Sequence, residues 1–353
     1  MSELLENEQL DTNDFGSYEF LENMSGPMLI SWDVTNRCNF RCMHCYNKSG
    51  DNSIHCFDDE LNKEESMKLV EQIIDIKPYS MCICGGETLL RNDLIDIVKA
   101  LSGNDILINM VSNGYLMNEE KAIQLKEAGI NFIQISVDAF TPELHDKFRN
   151  TPGSHEKALN ALKILKKVGI ETAASFVPNK LNINEFSDYV DLIYKTGCKQ
   201  IRMMPILPMG RGLENFEGLE PNSDEYFKFL LIVNKKKFEY SQKGMNIEWG
   251  DPLEHMYLAY DYKRYMPVQM EIKSNGDIGV STYLPIMVGN VRRHTLREYW
   301  DQGYKKIWKL PMVRNMVSKI RTVEDFKEMT VKAWTDEPIR IDIIDDKMKE
   351  VLI

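Results

Sequence analysis

Three cysteines fall within eight residues: Cys38, Cys42 and Cys45, in the run Thr35-Asn36-Arg37-Cys38-Asn39-Phe40-Arg41-Cys42-Met43-His44-Cys45-Tyr46. Thiolates at this C-x3-C-x2-C spacing can ligate three irons of a [4Fe–4S] cube. The fourth iron is then open to a small molecule, whereas an electron-carrying cluster takes four cysteines. Two plainer readings use the same residues. They can be three buried thiols, or a zinc site with His44 as the fourth ligand, since structural zinc takes four protein ligands. The adjacency of His44 and Cys45 makes shared tetrahedral coordination awkward.

The rest of the composition narrows the setting. The chain has seven cysteines in 353 residues, and Met1–Glu22 is acidic and polar, without the basic start and apolar stretch of a secretion signal. That suits metal or redox chemistry in the cytoplasm better than a disulfide framework. A net charge of −11 speaks against nucleic acid as the main partner. No apolar run reaches the roughly 18 residues of a membrane span. Twenty methionines fill a core, or give an adaptable surface for a peptide.

These residues need a scaffold, and the apolar pattern supplies one. Strand-like runs at Met28–Val34, Ser80–Ile83, Ile106–Val111, Phe132–Val137, Ile170–Val177 and Gln200–Met204 alternate with helical patterns. The helices are predicted at Lys63–Ile76, Asp93–Ala100, Asn118–Ala128, a stretch ending near Val168, Asn184–Thr196 and Asn222–Lys243. Gly129, Gly169, Gly197 and Gly244 sit where helix C-caps are expected. Six strand–helix units imply a parallel sheet with right-handed crossovers, too short to close an eight-stranded barrel. The fold class is therefore α/β, a partial (β/α)6 barrel with its ligand at the carboxyl ends of the strands. Beyond about residue 250, Gln269–Lys273 and Asp277–Thr282 flank Ser274-Asn275-Gly276, a hairpin signal. Thr295–Asp301 reads as a short helix with Thr295 near its N-cap.

With these residues in place, the chain resembles the radical S-adenosylmethionine (SAM) enzymes. Cys38, Cys42 and Cys45 fit that family's cluster motif, and Tyr46 supplies its aromatic. Cys84-Gly85-Gly86-Glu87-Thr88 resembles the family's Gly-Gly-Glu-Pro segment, with Thr88 in place of Pro. The resemblance implies that Gly85, Gly86 and Glu87 bind the methionine part of SAM, Glu87 accepting from its ammonium. Ser112-Asn113-Gly114 resembles the family's Thr-Asn-Gly, although Asn-Gly also suits a plain turn. Ile135-Ser136-Val137-Asp138 resembles Ile-Ser-Leu-Asp, which makes Ser136 a SAM ligand and Asp138 a cap of the next helix. Arg149 matches an Arg that pairs with the SAM carboxylate, or is a solvated surface residue.

Arg202-Met203-Met204-Pro205 and Pro208-Met209-Gly210-Arg211-Gly212 resemble a segment of the subgroup with a SPASM or twitch extension, with Arg202 counted among the cofactor contacts. The hairpin, Gly289-Asn290-Val291 and Leu296-Arg297-Glu298-Tyr299-Trp300 continue that resemblance to about residue 310. Relatives hold auxiliary clusters there with cysteines, but this chain has Ser281 and Thr282, and its last cysteine is Cys198. The expected architecture is an acidic segment over 1–27, a core over 28–245 and a SPASM/twitch-like α+β appendage over 246–353 without a cluster. Among the remaining cysteines, Cys56, Cys82, Cys84 and Cys198 are core thiols by default, with Cys84 a candidate hydrogen-atom donor. Asp251 is a candidate base or a turn-forming Asp-Pro. Tyr257, Tyr260, Tyr262 and Tyr265 form an aromatic patch.

The resemblance implies one [4Fe–4S] cluster and SAM as cofactors, reductive SAM cleavage, and hydrogen abstraction from a substrate. That substrate is a ribosomally made peptide, or else a small metabolite or tetrapyrrole, with flavodoxin or ferredoxin as electron donor. A non-catalytic cluster scaffold is the reading from a different class. One cluster predicts about four irons per chain after anaerobic reconstitution. Iron assay checks it, and about eight would restore an auxiliary cluster to the appendage.

Overall fold

A computed structural model describes residues 24–51, 59–254, 256, 269–329 and 338–348. The expected acidic N-terminal segment lies outside this range apart from its last residues, as do Cys56 and the tyrosines at 257, 260, 262 and 265. The core units are β1 (Leu29–Thr35), α1 (Lys63–Ile76), β2 (Ser80–Gly85), α2 (Leu94–Leu101), β3 (Leu107–Ser112), α3 (Glu119–Ala128) and β4 (Phe132–Ser136). They continue as α4 (Pro142–Arg149), α5 (Ser154–Val168), β5 (Glu171–Phe176), α6 (Phe186–Thr196), β6 (Gln200–Met203), α7 (Arg211–Leu219), α8 (Ser223–Ser241) and β7 (Asn246–Trp249). The strands β1 to β7 lie in chain order and pair in parallel throughout.

The six expected strand–helix units are present, and β7 adds a seventh parallel strand. It pairs with β6 from Gln200↔Asn246 to Met203↔Trp249, so the expected boundary at 245/246 falls just ahead of a strand of the core sheet. The hairpin β8 (Gln269–Ile272) and β9 (Asp277–Gly279) joins the opposite edge, β8 running parallel to β1. Gly276, at φ +86°, takes the left-handed position that a three-residue hairpin loop demands. Strand β10 (Ile286–Asn290) and helix α9 (Leu296–Asp301) follow, and β11 (Ile339–Arg340) completes a mixed sheet of eleven described strands. Thr295 caps α9 as expected, in a capping box with Glu298.

The two faces of the sheet differ in character. Ile30, Trp32, Met81, Ile83, Ile108, Met110, Ile133, Ile135, Ile201 and Met203 are all buried against the helices. The alternate residues Cys82, Cys84, Gln134, Ser136, Ser175 and Arg202 point the other way by the two-residue period. One cavity touches residues from β2, β3, β4, β5 and β6, so the sheet curls around it.

Buried Arg91 ties the first units together. Its Nε and Nη2 donate to Asp93 at 2.7 and 3.0 Å, Nη2 also reaches Ser66 Oγ (2.5 Å) and the Leu61 carbonyl (3.1 Å), and Nη1 donates to the Val34 carbonyl. Replacement by alanine leaves Asp93 buried without its cation and takes the guanidinium donors from Ser66 Oγ and the Leu61 and Val34 carbonyls. Arg91→Ala is therefore expected to cost about 3–5 kcal/mol, read as a lower midpoint in denaturant unfolding.

Candidate active site

The cysteine loop has no regular structure of its own and is held from two sides. On the β1–β2 side, Glu60 accepts from Thr35 Oγ1 (3.0 Å) and Asn36 N (2.6 Å). Gly86 N and Glu87 N donate to the carbonyls of Thr35 and Arg37 at 2.7 and 2.9 Å. Across the sheet, the turn after β6 grips the loop. Arg211 donates through Nε to the Cys42 carbonyl (3.0 Å), through Nη2 to the Ser49 carbonyl (3.0 Å) and through its backbone N to the Cys45 carbonyl (2.9 Å). Asn215 Nδ2 reaches the Met43 carbonyl at 3.1 Å.

Burial dominates the thiols. It pushes Cys38 up to about 12 and Cys42 up to about 11, the latter opposed by Arg149, whose Nη1 lies 3.7 Å from Cys42 Sγ. Burial thus favours the neutral thiol at Cys38 and Cys42, and a cationic metal centre is what makes a thiolate stable there. Arg149 is itself buried, and Asp138, at 2.5 Å from its Nε, keeps it charged against that burial. Asp138 was expected to cap the following helix. It does not: the N-cap position is Thr141, and the Asp138 carboxylate is spent on Arg149 and on Val177 N (2.9 Å). His44, the paper alternative for zinc, lies stacked on Phe148 with ring centroids 4.1 Å apart.

Beside the thiols is a cavity of about 400 Å³, within the range of small-molecule sites. Cys38, Cys42 and Cys45 line it together with Tyr46, Gly85 and Gly86. Ser112, Asn113, Ser136, Arg149, Arg202 and Cys84 line it as well. The residues needed to hold three irons and to surround a ligand at the open fourth are therefore in one place. Arg202 is half-exposed, 3.6 Å from Glu248 and over the Phe132 ring.

Two expected site residues are elsewhere. Glu87 is fully buried and does not line the cavity. Its carboxylate accepts from Ser112 Oγ (2.7 Å), Asn113 N (2.8 Å) and Leu89 N (3.1 Å), so it braces the end of β3 behind the wall rather than facing a ligand's ammonium. Burial raises its pKa, and these three donors oppose the rise. Asp251 accepts from Leu253 N at 2.8 Å, the turn-forming role, and is also absent from the lining. Sequence reasoning missed Phe40, Gln134, Ser175 and the Pro205–Leu207 wall. For Gln134 and Ser175 the signal was available, since they sit in phase with Ser136 on their strands. A second hollow, about 580 Å³ and lined by Met43, Lys147, Phe216 and Lys327 among others, contains no cysteine.

A three-thiolate loop at the carboxyl ends of parallel strands, over a small-molecule cavity, defines an iron–sulfur enzyme that binds a ligand beside its cluster. Residues 32–193 match the profile of the Radical SAM superfamily. The chain therefore carries a radical SAM domain, and that superfamily uses a [4Fe–4S] cluster and SAM as cofactors. It is 24% identical over 300 residues to the AdoMet-dependent heme synthase of Methanosarcina barkeri, covering 79% of this chain and 83% of that protein. It is 27% identical over 241 residues to the mycofactocin maturase MftC of Mycobacterium ulcerans, covering 67% and 61%. Other relatives named heme synthases are matched over only 47% and 49% of their length. The fold is that of SuiB from Streptococcus suis, with a TM-score of 0.63 at 15% identity over 86% of this chain and 70% of SuiB.

At Gly210 the grip on the loop leaves no room for a side chain. It has φ +55°, and a Cβ there would come within 2.3 Å of the Tyr46 carbonyl oxygen and 2.5 Å of the Cys45 carbonyl oxygen. Gly210→Ala is expected to lower iron retention several-fold while leaving far-UV circular dichroism unchanged. Iron assay after gel filtration checks it.

Proposed function

We propose that this enzyme abstracts a hydrogen atom from a peptide as the first step of a post-translational modification. When bound, the cluster and SAM supply the 5′-deoxyadenosyl radical that abstracts it. Cys38, Cys42 and Cys45 would hold the cluster. Gly85 and Gly86, Ser112 and Asn113, Ser136 and Arg149 would surround SAM, with Arg149 offering its guanidinium to the ligand carboxylate. Tyr46 and Arg202 complete the wall. A low-potential flavodoxin or ferredoxin of the cytoplasm would donate the electron.

One observation carries the choice of a peptide: the charge balance on the concave face. Among the described residues lining the cavity, the charged ones are Arg149 and Arg202, and each already has a carboxylate partner, Asp138 and Glu248. Cations that are already matched leave little to receive a polycarboxylate such as a tetrapyrrole, whereas a peptide's amide backbone needs none. SuiB, whose fold this chain shares, has been solved bound to its precursor peptide SuiA. The second reading, a tetrapyrrole, is favoured by the long alignment with the Methanosarcina barkeri heme synthase.

Anaerobic incubation with dithionite and SAM should release 5′-deoxyadenosine. A short peptide encoded beside the gene should stimulate that release several-fold, and iron coproporphyrin should not. The opposite pattern would establish the tetrapyrrole reading, and no nucleoside under any condition would leave only a scaffold.

A further inference from the structure

A cluster of buried charges stands next to the cavity and is used by none of the steps above. Strand β1 places Asp33 in register with Cys84 of β2, and strand β8 brings Glu271 and Lys273 alongside. Cys84 Sγ lies 3.3 Å from Asp33 Oδ1. The other oxygen, Asp33 Oδ2, lies 3.3 Å from Lys273 Nζ, which is also 3.2 Å from Glu271 Oε2. The three charged side chains are 12%, 11% and 4% exposed for Asp33, Lys273 and Glu271. Burying them carries a desolvation cost that a packing thiol does not require. Cys84 itself lines the cavity at the end of β2, one residue before Gly85.

We propose that Cys84 is the hydrogen-atom donor that restores a C–H bond to the substrate radical, with Asp33 and Lys273 as its positioning residues. This rests on the radical chemistry proposed above. A hydrogen-atom donor must carry its hydrogen, and a thiolate has none. The hydrogen bond with Cys82 and burial push the Cys84 thiol well above its ordinary value, so it stays S–H. Asp33 accepts from that S–H and fixes its direction, and Lys273 fixes Asp33. In the step, the Cys84 S–H bond breaks and a substrate C–H bond forms, leaving a thiyl radical on Cys84. One further electron from the same one-electron donor and one proton from solvent return the thiyl to the thiol. The sum is one SAM and two electrons spent, with the substrate at its original oxidation level. That outcome needs no second metal acceptor, in keeping with a chain whose last cysteine is Cys198.

The test needs no substrate. In D2O the Cys84 thiol exchanges to S–D, and a radical formed from SAM alone takes its hydrogen from the nearest weak bond. The holoenzyme with SAM and dithionite in D2O should give monodeuterated 5′-deoxyadenosine. Deuterium per nucleoside should fall several-fold in Cys84→Ser and in Cys84→Ala, so either variant suffices. Nucleoside without deuterium from the wild type, or unchanged deuterium in the variants, overturns the proposal while leaving the radical reading intact. No nucleoside at all overturns both. In the chain without its cluster, Asp33→Asn should move alkylation of the Cys84 peptide, followed by mass spectrometry, to lower pH. An unchanged profile removes Asp33 from the positioning role.

Discussion

Burial opposes the ionisation of the thiols on which this site depends. Cys38 and Cys42 are shielded enough that, without a metal, their thiols stay protonated far above neutral pH. A [4Fe–4S] cluster reverses that balance because its iron charge stabilises each thiolate more than water would. The loop is shaped in part by its own bonds, such as Arg41 to the Cys38 and Phe40 carbonyls and Gly50 N to the Asn36 carbonyl. Further hydrogen bonds to its backbone come from Gly86 and Glu87 on one side and Arg211 and Asn215 on the other. The donors of the second group lie nearly 170 positions away in the chain, so loop geometry is a property of the finished fold.

The same logic explains the division of the sheet into two chemistries. Each parallel strand sends every second residue outward to the helices, and these are aliphatic, aromatic or sulfur-bearing and almost wholly buried. The intervening residues face the cavity and are small or polar: Cys84, Gln134, Ser136, Ser175 and Arg202. Stability resides in the outward layer, which frees the inward one for binding. Where the inward face needs charge, it is neutralised locally. Arg149 is matched to Asp138 and Arg202 to Glu248. An unmatched charge at the buried Arg149 would cost several kcal/mol, whereas the half-exposed Arg202 pair contributes little.

Much of this was legible in the sequence because it is local. The cysteine spacing, the Gly-Gly turn, the period of α1 and the Thr295 cap are each contained in a few neighbouring residues. What was misread or missed is non-local. Strand β7 has only Ile247 and Trp249 as apolar signal, and its pairing with β6 settles its identity. Strand β10 was read only as a glycine-bearing motif. Glu87 was assigned a ligand because its neighbours are glycines that approach one, yet its side chain points to the end of β3, where three donors outcompete a solvent-facing position. Asp138 read as a cap because Asp commonly caps helices. The fold gives it Arg149 instead, and no local pattern announces a partner eleven residues away.

The appendage follows from the same constraint. The hairpin carries no cysteine, and it docks as a parallel neighbour of β1. That docking carries Lys273 to Asp33 across 240 positions. Charge is delivered to the rim of the cavity. A radical enzyme without a second metal acceptor finishes its reaction by returning a hydrogen atom or by donating an electron elsewhere. The ion pair between β1 and β8 stands beside the thiol best placed for the first course.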